Sequence, residues 1–180
     1  MADNNLTANR WLYGSAYLAL MVALMLFYLL PTQLGPRGLP GPDLLLCVTI
    51  LWLLRRPHYV PTLLVAAVFL LADMLFLRPP GLWAALVVLA VEFLRARETS
   101  SREQPFLVEW AIVAGVMLAI TLAYRLILAL FLIDQGGLNL ALMQLFVTIL
   151  AYPVVVLVSR FLFGVARMTP GETDARGRPR

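Results

Sequence analysis

One carboxylate in this chain sits inside an apolar run, Leu70-Leu71-Ala72-Asp73-Met74-Leu75-Phe76-Leu77. An acid facing lipid there costs roughly 2.5–3.5 kcal/mol on insertion scales, so Asp73 is expected to face protein or a polar cavity. Arg125 is its cationic counterpart, placed about eight residues before the end of another apolar run. A buried Asp73–Arg125 pair would lower the cost of both charges. Arg125 has a second option, which is to extend its long stem towards headgroups. Asp73 could equally contact a partner helix or a polar ligand. Glu92 and Glu109 lie near Arg95, Arg97 and Arg102, where an interfacial, solvated cluster is expected. His58 stands alone in the proline-flanked loop Arg56-Pro57-His58-Tyr59-Val60-Pro61, and Cys47 reads as packing.

These residues do not assemble an enzyme. There is no glycine-rich phosphate loop, no HExxH, no supported Ser/His/Asp set and no acidic metal cluster. Every basic residue is arginine, which removes Schiff-base chemistry and a P-loop lysine together. One histidine and one cysteine leave no His/Cys metal site and no internal disulfide. No catalytic group, cofactor or metal is therefore expected. The +4 net charge is not a nucleic-acid signature, because the arginines fall at segment ends and in short loops.

The chemistry sits in a very apolar frame. The 180 residues are 62% hydrophobic and 13% charged, with a mean hydropathy of +0.86, outside the range of soluble domains. Six apolar segments are expected as helices: 11–30, 44–54, 61–77, 82–94, 106–133 and 140–163, the last interrupted by Pro153. The first is about 20 residues long, enough for a bilayer core and longer than a signal-peptide core, and reads as a retained helix. Segments two and four are short for a span; they must tilt little, thin the bilayer or pack inside the bundle, with re-entrant segments as the alternative. With six spans and a cytoplasmic N-terminus, ten arginines fall in cytoplasmic regions and only Arg37 and Arg78 outside. The expectation is an all-α polytopic membrane protein with both termini cytoplasmic. Residues 1–10 precede a single transmembrane domain over 11–163, and 164–180 form a disordered tail.

Two stripes of small residues mark candidate helix contacts. Ala111, Gly115, Ala119 and Ala123 recur at every fourth position, and Ser15, Ala19 and Ala23 share that spacing. Such stripes let backbones approach closely, either within the bundle, which is the expectation here, or against another protein. The connector 31–43 holds four prolines and three glycines, suited to lying on a partner or at the interface.

The block from Pro42 to Leu94 carries a family pattern. Pro42-Asp43-Leu44-Leu45 is followed by Trp52, then Pro57-His58 with Val60, then Asp73 in its apolar run, then Gly81-Leu82. This order and spacing resembles the rod shape-determining MreD family, inner-membrane components of the bacterial machinery that elongates side-wall peptidoglycan. The likeness covers residues 42–95 and, through Pro153, extends more thinly over 106–163. Arg78-Pro79-Pro80 departs from the small polar stretch usual after the acid. The resemblance implies a non-enzymatic scaffold of the elongasome, or rod complex, that binds MreC and sits with MreB, RodA and the class B penicillin-binding protein. It implies a six-helix fold similar to the substrate-binding subunits of energy-coupling-factor transporters. It also makes Pro42, Trp52, Pro57, His58, Gly81 and Pro153 fold-defining. The alternative function is a solute-binding subunit of a vitamin-type transporter, to whose pocket Asp73, Arg125, Gln144 and Tyr124 would contribute.

Overall fold

A computed structural model describes residues 2–30, 41–55, 60–97, 105–133 and 136–163. Among them the chain is all helical, with six helices and no strand: α1 (Ala2–Leu29), α2 (Leu44–Arg55), α3 (Thr62–Leu75), α4 (Leu82–Ala96), α5 (Phe106–Leu130) and α6 (Leu138–Phe163). Each expected segment has its helix. The first begins well before Trp11, at Ala2, so the polar residues ahead of the apolar run join α1.

Helix α2 is the centre. All residues from Leu45 to Leu53 are buried, as an all-round apolar helix requires, and it packs on α1, α4 and α6. Its 12 residues span about 18 Å, whereas the 25 and 26 residues of α5 and α6 span about 38 Å. The short α2 therefore lies inside a frame of longer helices, whereas α4 keeps one face outside, with Leu89 and Phe93 exposed. Helices α3 and α4 form a tight hairpin, and α5 packs against both α4 and α6.

Local signals set the boundaries. Pro61 and Pro105 precede α3 and α5 in extended conformation, where a proline costs no helical hydrogen bond. Both helices end in a Schellman arrangement: Arg78 N–H reaches Asp73 O at 3.0 Å and Ile133 N–H reaches Leu128 O at 3.0 Å. The left-handed residue in each is a leucine, Leu77 (φ 54°) and Leu132 (φ 53°), where glycine is usual.

Pro153 lies inside α6 and cannot donate to the carbonyl four residues back, that of Ile149. The indole N–H of Trp110 on α5 donates to that carbonyl at 3.0 Å. The proline thus frees an acceptor that pins α5 to α6.

The outside of the bundle is apolar as well as its core, and a few polar side chains lie within. Thr49, Asp73, Glu109, Thr148 and Ser159 are buried. Leucines and valines cover the outside, including Leu118, Leu122 and Leu126 on α5 and Leu150, Val154 and Leu157 on α6. Two stretches, Phe106–Leu130 and Leu138–Ser159, are long and apolar enough to cross a membrane.

Candidate cavity and its supporting caps

The end of the bundle where α2 begins is organised by two aspartates that cap helices. Asp43 precedes α2, and its Oδ1 accepts the Leu46 N–H at 3.0 Å, satisfying a donor left over by the first turn. Its own N–H donates to Thr148 Oγ1 at 2.9 Å, joining α2 to a point well inside α6. The Tyr28 hydroxyl donates to the Pro42 carbonyl and accepts the Leu44 N–H at 3.2 Å, closing α1 onto the same junction. Withdrawal from water pushes the Asp43 carboxyl above the ordinary carboxylate range, opposed by the Arg78 charge and by N–H bonds from Leu46 and Leu45.

Asp73 does the same work from a neighbouring helix. It is fully buried, and its Oδ2 accepts the N–H groups of Gly81 and Ala84, both at 3.1 Å. These donors open α4, so a carboxylate of α3 caps the next helix and meets the positive end of its dipole. Gly81 sits at φ 88°, a conformation that L side chains rarely adopt and that turns the chain back for this contact.

The expected Asp73–Arg125 pair is not formed. Asp73 lies at the last turn of α3, where the turn to α4 brings two N–H donors to it before any side chain can reach. Arg125 instead donates from Nη2 to the Gly136 carbonyl at 2.8 Å. Distance from a segment end sets a residue's depth but not the direction in which its side chain leaves the helix.

Above the recessed start of α2 lies a cavity of about 600 Å³. Its polar wall holds Asp43, Arg78, Thr121, Tyr124, Arg125 and Gln144, and its apolar wall includes Leu77, Trp83, Leu128 and Leu145. Tyr124, Arg125 and Gln144 are thus brought together as a polar pocket would require, while Asp73 stays behind the wall. Trp83 and Tyr124 meet edge to face with centroids 5.3 Å apart. The Arg78 guanidinium lies 5.6 Å from the Phe76 ring centroid and 5.5 Å from that of Trp83. In the sequence Arg78 stands as an outer-loop charge and as part of the Arg78-Pro79-Pro80 departure, not as a site residue; the aromatic residues flanking it at positions 76 and 83 are the available signal.

The opposite end corrects another expectation. Glu109 is not solvated: it is 4% exposed, 3.2 Å from Arg55 Nη2, and accepts the Tyr152 hydroxyl at 3.2 Å. Glu92 does fit the solvated reading, half exposed beside Arg95 at 3.1 Å. Arg95 also donates to Thr62 Oγ1 and the Val60 carbonyl, both at 2.8 Å.

The α5 stripe does not pack internally. Ala111, Gly115 and Ala119 are exposed and Ala123 half-buried, while Val113, Val116, Met117 and Ile120 make the buried face. A Cβ added at Gly115 would meet nothing within 4 Å. Ser15, Ala19 and Ala23 on α1 are exposed as well. Larger side chains on the other faces of α5 fill the gaps between helices, so the small residues are left outside.

Of the remaining positions, Trp52 is buried with its ring 5.8 Å from that of Tyr17. Cys47 is buried and free. Pro57, His58, most of the 31–43 connector and the tail from residue 164 lie outside the described residues. Three or more His, Cys, Asp or Glu residues do not gather anywhere among the described residues in a way that could hold a metal ion. No protein-family model, curated protein or solved structure matches the chain.

Proposed function

We propose that this chain is a six-span inner-membrane scaffold, without catalytic activity, that docks the transmembrane helix of a single-span partner on the outer face of α5. The observation that carries this reading is the stripe Ala111, Gly115 and Ala119, exposed at every fourth position on a helix long and apolar enough to cross a membrane. In lipid, apolar surface alone gives helices little reason to associate, so close backbone approach along small residues supplies the contact. The parallel stripe on α1 adds a second such face. The arginine bias orients both termini to the cytoplasm, which puts the Asp43 end outside. On the resemblance of the Pro42–Gly81 pattern, the partner is MreC, within an assembly that holds MreB, RodA and the class B penicillin-binding protein, and the output is control of side-wall peptidoglycan synthesis and cell shape.

Gly115→Ile tests this. Open space around that position means the isolated protein should unfold as the wild type does, while co-purification of a single-span partner from membranes should fall at least tenfold. Undiminished recovery with Gly115→Ile and with Ala119→Ile would remove the α5 face from the interaction.

The cavity favours a second reading, a solute-binding membrane subunit with a fold like that of vitamin-transporter subunits. Recovery of an ATPase module in the same co-purification, in place of a single-span protein, would select it.

A further inference from the structure

We propose that the cavity above α2 is a binding site for a small organic anion, a phosphate or carboxylate on an apolar body, anchored by the Arg78 guanidinium. Among the described residues Arg78 has neither an ion-pair partner nor a side-chain hydrogen bond; Phe76 and Trp83 hold it by their rings. Asp43 shares the cavity wall but lies beyond ion-pair distance of it, and its Oδ1 is engaged by the Leu46 N–H. A half-buried guanidinium stacked on aromatic rings keeps its in-plane N–H donors, the geometry that grips phosphate and carboxylate oxygens in pairs.

The other wall groups narrow the ligand. Arg125 stands on the same wall, its Nη2 engaged by the Gly136 carbonyl at 2.8 Å, so the anchoring charge is that of Arg78. Tyr124 and Gln144 offer hydroxyl and amide groups that both donate and accept. Leu77, Leu128 and Leu145 give an apolar side that an inorganic ion would leave uncovered. At about 600 Å³ the space lies within the ordinary range for organic ligands. Such an anion has two sources, the headgroup of a surrounding lipid and a soluble metabolite. The site rests on the cavity alone, and loss of the partner interface on α5 would leave it standing.

The test uses the full-length chain purified in neutral detergent, followed by thermal unfolding during titration with three probes: dioctanoyl phosphatidylglycerol, dioctanoyl phosphatidylcholine and glycerol 3-phosphate. Saturable stabilisation by phosphatidylglycerol, by glycerol phosphate or by both is expected. Phosphatidylglycerol alone identifies a lipid headgroup, and glycerol phosphate binding identifies a soluble anion. Arg78→Gln should weaken the binding at least tenfold, Arg78→Lys should weaken it less, and Arg97→Gln at the opposite end should leave it unchanged. The site is overturned by phosphatidylcholine binding as tightly as phosphatidylglycerol, by unaltered affinity in a folded Arg78→Gln protein, or by no saturable binding of any probe to the wild type.

Discussion

Asp73 holds two backbone donors at the mouth of α4, and that geometry separates two roles for a buried acid. A charge partner is lost equally in any neutral replacement. A capping acceptor survives in asparagine, whose amide oxygen can still take an N–H. Asp73→Asn should therefore cost about 1 kcal/mol, whereas Asp73→Leu strands the Gly81 and Ala84 donors and should cost about 3 kcal/mol or more. Unfolding in mixed micelles would measure the difference, and equal losses would return Asp73 to the ion-pair role. The need for a partner was legible in the sequence, since a carboxylate among leucines must be compensated. The partner's identity was not, because backbone N–H groups carry no letter in a sequence. The one trace is Gly81, eight residues downstream and opening a helix.

Helices were far more legible than their contacts. The apolar runs are bounded by prolines, Gly81 and arginines, so α2 to α6 begin and end within a few residues of the expected limits. Which face of each helix turns inward depends on packing that a run of leucine, valine and alanine does not encode, and so the α5 stripe was expected inside. Pro153 shows how an element-level irregularity becomes a contact. Its missing N–H leaves the Ile149 carbonyl for Trp110. Removing the indole donor with Trp110→Phe should cost about 1 kcal/mol in the wild type, where the carbonyl is left bare. In a Pro153→Ala background the helix bond re-forms and the same change should cost little. A double-mutant cycle reads this as a coupling of about 1 kcal/mol; no coupling would mean that the indole bond contributes nothing.

For the molecule as a whole, alternating helices gather the Asp43 cavity at one end and the Arg55–Glu109–Tyr152 cluster at the other. A cavity at one end follows from unequal lengths: α2 stops short of α5 and α6, and the α3–α4 turn walls the gap. The segment lengths were legible, but the vacancy depends on where α2 sits along α6, fixed by Asp43 on Thr148. Orientation decides which compartment the cavity meets, and the chain carries a clean way to read it. Its single cysteine, Cys47, is buried and should not react, so introduced cysteines report alone. Leu77 is 94% exposed at the Asp43 end, and Arg97 is exposed at the other. An impermeant maleimide should label Leu77→Cys in cells whose inner membrane is intact and Arg97→Cys only once that membrane is opened. The reverse pattern would invert the protein and turn the cavity to the cytoplasm. Labelling of both in intact cells would exclude a membrane between the two ends, and with it the six-span reading that the arginine bias supports.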